Sequence, residues 1–308
     1  MVLPSEARGR VLVTGLSGFT GRHLRTALEA AGYVVCDSEP NGEPTFDLNE
    51  PSSIDKLLER TYPDYVCHLA GMGFVPHGDI SGFYDINTVG TTNLLEAISQ
   101  SGLSLRRIVI ASSANVYGNA TVESIDESTT PAPVNHYACS KLAMEHMART
   151  WFDRLPIIIT RPFNYTGIGQ ASHFVIPKIV DHFARRSAQI ELGNLDVIRD
   201  FSDVRAVASV YSRLMDAGTV GETYNICSGQ GHSLKSIIDS VADISLHSVN
   251  VEVNPLLIRE SDVKRLIGSN AKLVSAIGPL GFANLGATLR WMYNARLEEL
   301  GAAGIRSH

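Results

Sequence analysis

Arg10-Val11-Leu12-Val13-Thr14-Gly15-Leu16-Ser17-Gly18-Phe19-Thr20-Gly21 opens on a β-branched apolar run and closes on three evenly spaced glycines. The run predicts a strand. Beyond it, Leu24, Ala27, Leu28 and Ala31 recur at helical spacing, which predicts a helix over 21–31. Strand, glycine turn and helix in that order form the entry to a doubly wound sheet. There, backbone N–H groups at the helix N-terminus can receive a phosphate, and side chains would block its approach. Gly15, Gly18 and Gly21 supply the access, at a wider spacing than the tight Gly-x-Gly-x-x-Gly pattern.

Outward from this turn the alternation continues, with strands predicted at 33–36, 65–69, 107–111 and 156–160 and helices at 54–60, 88–101 and 136–152. Several strands are apolar throughout, so the expected class is α/β: a doubly wound parallel sheet with helices on both faces. Past Arg161 the pieces shorten. Helices are expected over 174–186, 205–216 and 233–241, and extended segments over 189–192, 198–202 and 223–226. The predicted organisation is a dinucleotide-binding domain over 1–165, to which a strand near 204–227 returns. A smaller C-terminal substrate-binding lobe over 166–300 and a tail over 301–308 complete it.

The chain has 308 residues, 44% of them hydrophobic, and a formal net charge of −6, enough to bury a full core. No basic cluster exceeds Arg106-Arg107 or Arg185-Arg186, which speaks against nucleic acid as a partner. No run approaches the roughly 18 apolar residues of a membrane span, and residues 1–10 lack a signal core, so a cytoplasmic protein is expected. Cys36, Cys67, Cys139 and Cys227 stand singly without metal-ligand spacing and are read as buried free thiols, with no metal site.

Tyr137-Ala138-Cys139-Ser140-Lys141 carries the chemistry. Residues four apart on a helix share a face, so the Lys141 ammonium is expected beside the Tyr137 phenol, lowering its pKa. A phenol so tuned can give or take a proton while a hydride moves. The strand over 107–111 ends at Ser112 and Ser113, on the sheet edge where ligands bind, and a hydroxyl there can hold a reacting oxygen or serve local backbone groups. Asp37, roughly 20 residues after the first glycine, can hold the adenine ribose or be an ordinary turn residue. Asp47, with Leu48, can meet the adenine amino group or begin a turn. Asp37, Glu39 and Glu43 disfavour a 2′-phosphate while Arg22 tolerates one, so NADP and NAD both stay open as cofactors.

Thr14 to Gly21, His68-Leu69-Ala70-Gly71, Asn87 with Gly90-Thr91-Thr92-Asn93-Leu94-Leu95-Glu96-Ala97, Ser112 to Gly118, and Tyr137 with Lys141 together resemble the extended short-chain dehydrogenase/reductases acting on nucleotide sugars. Within them, Arg161-Pro162-Phe163-Asn164-Tyr165-Thr166-Gly167-Ile168-Gly169-Gln170, Arg199-Asp200-Phe201-Ser202-Asp203-Val204 and Tyr224-Asn225-Ile226-Cys227-Ser228-Gly229 look most like the reductases that form GDP-rhamnose. The resemblance implies a catalytic Ser113, Tyr137 and Lys141. It implies cofactor contacts from Gly15, Ser17, Gly18, Phe19, Thr20, Gly21, Asp37, Asp47, Leu48, Leu69, Ala70, Gly71, Asn87, Ser112, Tyr137, Lys141 and Arg161. Substrate contacts are implied for Ser113, Asn115, Asn164, Val175, Lys178, Arg199, Arg259 and Asp262, the two arginines on a nucleotide diphosphate. A homodimer through the helices near 88–101 and 136–152 is implied as well.

Dehydratases of this family place acidic residues directly after the catalytic hydroxyl residue; here stand Ala114 and Asn115. Elimination is therefore disfavoured. The expected activity is NAD(P)H-dependent reduction of the 4-keto group of a nucleotide-linked 4-keto-6-deoxyhexose, with GDP-4-keto-6-deoxy-D-mannose to GDP-D-rhamnose as the leading case. The alternatives are a nucleotide-sugar 4-epimerase and a dinucleotide-sensing regulator without catalysis.

Overall fold

The computed structural model describes residues 7–36, 46–73, 80–257 and 263–305. The chain begins with β1 (Arg10–Thr14), α1 (Phe19–Ala30), β2 (Val34–Cys36), α2 (Pro51–Thr61) and β3 (Tyr65–His68). A short α3 (Ser81–Tyr84) passes through a wide π turn (Asp85–Gly90) into α4 (Thr91–Gln100), followed by β4 (Arg107–Ala111), α5 (His136–Arg149) and β5 (Ile157–Pro162). Then come β6 (Asn164–Thr166), α6 (Val175–Ala184), β7 (Gln189–Leu192), β8 (Ile198–Asp203), α7 (Val204–Ala217) and β9 (Thr223–Ile226). The last elements are β10 (Gly231–Ser233), α8 (Leu234–Ser245), β11 (Asn250–Val253), β12 (Arg265–Leu266), α9 (Ala271–Ile277) and α10 (Leu285–Ile305).

Six strands form one sheet in the order β2-β1-β3-β4-β5-β9, every neighbouring pair parallel. Strand alternation fills both faces. Val11 and Val13 pack with Leu24, Leu28, Tyr211, Leu214 and Leu273 beneath α1, α7 and α9. Leu12 points the other way, into Ile54, Leu57, Leu94, Leu95 and Met144 from α2, α4 and α5. The expected doubly wound sheet is thus present, and α7, β9 and α9 all return to it from the C-terminal half.

The remaining elements form smaller sheets, β10-β8-β12 with β6 paired to β8, and β7 with β11. Leu192, Phe201, Ile237, Leu289 and Met292 make their shared core with α6, α8 and α10. The segment read as a tail from 301 is helical through Ile305. Leu285, Leu289, Met292 and Tyr293 have the helical spacing that announces α10, but glycine and charge on all sides of its second half dilute the pattern. The helix predicted over 88–101 starts earlier, because the π turn feeds α4 directly. That predicted over 136–152 stops at Arg149, where Thr150, Trp151 and Phe152 close short turns instead. Of the four free cysteines, Cys139 is only half-buried, a departure from the buried thiols expected. No described helix is long and apolar enough to cross a membrane.

Candidate active site

The chain leaves β1 toward β2 on one side and crosses to β3 on the other, so the carboxyl ends of β1 and β3 enclose the point where strand order reverses. Ligands of such sheets bind there. Gly15 takes φ +75° at this point, and a Cβ on it would stand 3.0 Å from the Ala70 backbone nitrogen. A Cβ on Gly21 would overlap the Gly15 carbonyl at 2.3 Å, so this glycine lets α1 press against its own entry turn. Gly18 is the N-cap of α1 and provides no side-chain cap, leaving the first helical turn open to an anion. A cradle lined by backbone, with no room for side chains, fits a dinucleotide diphosphate.

A chain of hydrogen bonds holds the β1 and β3 ends together. The Thr91 hydroxyl donates to the Asn87 carbonyl at 2.7 Å, so it can only accept from His68 Nε2 at 2.9 Å. His68 Nδ1 must then accept from the Thr14 hydroxyl at 2.7 Å, and Thr14 in turn accepts from the Ala70 N–H. Burial, reinforced by the Lys141 charge, lowers the His68 pKa to about 3, so the imidazole is neutral. Asn87 extends the chain. Its carboxamide grips Met72 through both backbone groups and donates to the Ser140 hydroxyl, which donates to the Tyr137 carbonyl. The resemblance implies Asn87 on the cofactor; in the structure its side-chain amide is bonded to Met72 and Ser140.

Ser113, at the end of β4, caps the turn Ala114–Tyr117 by accepting from the Asn115 N–H at 3.2 Å. Tyr137 and Lys141 lie one turn apart at the start of α5, where Asn135 caps the helix by accepting from Ala138 N–H. The expected lowering of the Tyr137 pKa does not occur. Protein crowding around the phenol pushes it up to about 12, the nearby Ser113 hydroxyl pulls it partly back, and Tyr165 raises it further. The Lys141 ammonium points instead to the Ala111 carbonyl, at 2.9 Å, and toward Gly71, where a Cβ would meet it at 2.9 Å. Its own pKa falls to about 8 through burial, with Glu145 opposing. A protonated phenol close to a serine hydroxyl is chemically able to give up a proton.

Glu145 went unremarked in the sequence, although it stands four residues after Lys141 on the same helical face. It accepts from the Ser112 hydroxyl at 2.6 Å and from Arg161 through two bonds, at 2.9 and 2.6 Å. Arg161 also donates to Tyr117, whose hydroxyl donates to Asn225 at 2.7 Å. The side chains of Ser112 and Arg161, both expected on the cofactor, are therefore committed to a buried network joining α5, β4, β5 and β9.

Of the other expected cofactor residues, Ser17 and Phe19 flank the open turn, Thr20 bonds the Tyr165 hydroxyl, and Leu69, Ala70 and Gly71 follow β3 at the same edge. Asp47 is exposed and accepts from the Asn49 N–H at 2.8 Å, the turn role, while Leu48 is buried under α4. On the lobe side, Asn164 is in β6, Val175 and Lys178 are in α6, and Arg199 is in β8, where it donates to the Ile198 carbonyl; Asn115 lies beside Ser113. Lys178 donates to the Glu191 carbonyl at 2.7 Å. Asp37, Arg259 and Asp262 lie outside the described residues.

The profile of the NAD dependent epimerase/dehydratase family matches residues 11–227, from β1 to the end of β9. The chain belongs to that family. Its members are the extended short-chain dehydrogenase/reductases of the sequence reading, and the open glycine turn suits their nicotinamide dinucleotide. The chain is 38% identical to GDP-6-deoxy-D-talose 4-dehydrogenase of Aggregatibacter actinomycetemcomitans, over 94% of this chain and 99% of the relative. Identity is also 38% to GDP-6-deoxy-D-mannose reductase of Pseudomonas aeruginosa, over 87% of this chain and 91% of that one. The structure of RMD from Pseudomonas aeruginosa complexed with NADPH superposes with a TM-score of 0.87 at 35% identity, covering 94% of this chain and 99% of that chain.

Proposed function

We propose that the protein reduces the 4-keto group of a nucleotide-linked 4-keto-6-deoxyhexose, with GDP-4-keto-6-deoxy-D-mannose as substrate and GDP-D-rhamnose as product. The observation that carries this reading is the protonated Tyr137 phenol set close to the Ser113 hydroxyl at the sheet edge, beside the open glycine turn. Bound NADPH or NADH supplies the hydride to C4. Tyr137 gives its proton to the oxygen as the alkoxide forms, Ser113 donates a hydrogen bond to the same oxygen, and Lys141 holds the nicotinamide ribose. Gly15, Gly18 and Gly21 admit the diphosphate of the dinucleotide to the N-terminus of α1. Ala114 and Asn115 offer no carboxylate for a dehydration. Asn164, Arg199, Arg259 and Asp262 form the proposed nucleotide-sugar side, and α4 with α5 the proposed homodimer contact.

The two curated relatives are named for sugars that differ in configuration at C4, so the product's stereochemistry is part of the test. The protein is incubated with NADPH or NADH and GDP-4-keto-6-deoxy-D-mannose, cofactor oxidation is followed by absorbance, and the H4 couplings of the product are read by NMR. Oxidation with one rhamno-configured alcohol supports the reading, and a talo-configured alcohol keeps the reduction but changes the product. No oxidation with either cofactor sinks it. Interconversion of a nucleotide sugar without added cofactor would replace it with the epimerase.

A further inference from the structure

The first two turns of α1 are clasped by a segment that sequence reasoning treated only as a motif. Beyond β5, the chain passes through β6 and continues to Gly169 across the outer side of this helix. The Phe19 and Tyr165 rings stack, with centroids 6.0 Å apart and planes within 10°. The Thr20 and Tyr165 hydroxyls share a hydrogen bond of 2.8 Å. Arg22 donates to the Gly169 carbonyl at 3.0 Å, and His23 Nε2 lies 2.9 Å from the Ile168 carbonyl, which can only accept, so that nitrogen carries the proton.

The clasp has little room to slide. A Cβ on Gly167 would come within 2.4 Å of Val204, and Gly169 holds φ +87° with Arg22 close over it. The same segment begins in β6, whose Asn164, Tyr165 and Thr166 stand opposite Phe201, Ser202 and Asp203 of β8. β8 also carries Arg199. One short stretch of chain thus holds the dinucleotide turn at one end and the substrate-lobe sheet at the other, with the Tyr165 hydroxyl on the turn itself. That phenol is also near enough to Tyr137 to raise its pKa.

We propose that Tyr165 is a positioning residue that couples dinucleotide binding at α1 to nucleotide-sugar binding on β6 and β8. The sugar side of this coupling rests on the proposed function above. The hydroxyl fixes Thr20 in the first helical turn, where the diphosphate is received, so ordering that turn also orders the strand beside Asn164. Coupling of this kind is reciprocal: the nucleotide that docks on the lobe tightens the dinucleotide by the factor it gains in return.

The test is a double-mutant cycle on the intact protein with Tyr165→Phe, Thr20→Val and the double variant. The dissociation constant of NADPH is measured by its fluorescence, alone and with saturating GDP, beside thermal unfolding of each variant. In the wild type, GDP is expected to tighten NADPH by about fivefold or more. In Tyr165→Phe, which keeps the ring and the Phe19 stack, NADPH alone binds within about tenfold of wild type, the span of one hydrogen bond, and the GDP effect disappears. Thr20→Val, which also alters an implied cofactor contact and so can weaken NADPH on its own, loses the GDP effect as well, and the double variant has no GDP effect left to lose.

A GDP effect that persists at full size in Tyr165→Phe overturns the proposal, whatever the unfolding temperature does. Either single variant removes the same bond, so misfolding of one leaves the other to decide. If GDP does not bind the wild type, the guanine reading fails and UDP and dTDP take its place as probes. If none of the three shifts NADPH affinity in the wild type, the coupling itself is absent.

Discussion

Lys141 and Lys178 both donate to a backbone carbonyl, at 2.9 and 2.7 Å, yet they belong to differently built regions. Lys141 is 5% exposed and stands beside a neutral histidine, a buried carboxylate and a strand end whose polar groups are already paired. Lys178 is half-buried on a short helix of the lobe, its ammonium held by one bond to the Glu191 carbonyl. The sheet side of the site is held by satisfied polar networks, which rigidify a core. The lobe side rests on short elements and partly solvated side chains. On the proposed function, such a division would keep the proton and the cofactor in place while the lobe selects the sugar.

The largest expected effect lies on the sheet side. Tyr137→Phe is predicted to lower turnover by about 10²–10⁴, the usual worth of a positioned proton donor, with the NADPH dissociation constant unchanged. Lys178→Ala is predicted to do the reverse, raising KM for the nucleotide sugar with turnover kept. Steady-state kinetics on both variants checks the division, and a turnover defect in Lys178→Ala that matches Tyr137→Phe would break it.

Stability should divide in the same way. Glu145→Gln leaves Arg161 buried without its partner and is predicted to destabilise by about 3–5 kcal/mol in urea unfolding. Asp181 pairs with Arg185 and Arg296 in the lobe, but its side chain is 27% exposed. Asp181→Asn should therefore cost about 0–1 kcal/mol, as surface pairs do. Similar losses for the two would mean that the buried network is no stiffer than the lobe.

The same contrast decides what could be read from the chain alone. Apolar strands and helical periodicity announce the six-stranded sheet, and Gly15, Gly18 and Gly21 announce its ligand edge. Spacing also put Tyr137 and Lys141 on one helical face, but it does not say where a long side chain points. The ammonium goes to Ala111, so burial controls the phenol and the expected lowering becomes a rise. The Glu145, Arg161, Tyr117 and Asn225 network joins residues far apart in the chain, and only folding brings them together. The resemblance alone implies a cofactor contact for Arg161, and nothing in the spacing announces its pairing with the buried carboxylate of Glu145.

His68 sharpens the comparison by pH. Its folded pKa, about 3, lies below the ordinary value of 6.5. Below pH 6.5 the unfolded chain binds a proton that the folded protein refuses, so the stability of the neutral form is lost as pH falls toward 3. The expected slope from this group is about 1.4 kcal/mol per pH unit within that window. Unfolding free energies of wild type and His68→Gln across the window should differ in slope, the variant being flatter. Parallel curves would mean that His68 is protonated in the fold, and the assigned direction of its hydrogen bonds would fail.

The smallest effect is expected at the seam between the two regions. Ser202, opposite Tyr165 in the β6–β8 ladder, is 1% exposed, and among the described residues its hydroxyl is buried without a hydrogen-bond partner. An unmade bond of this kind costs about 1–3 kcal/mol when the group is dry. Ser202→Ala removes the oxygen and leaves the backbone ladder untouched, so it should raise stability by about 1 kcal/mol in urea unfolding. A loss of similar size would show instead that the hydroxyl is satisfied in solution, by water or by movement of the strand. The seam would then be wetter and looser than either region it joins.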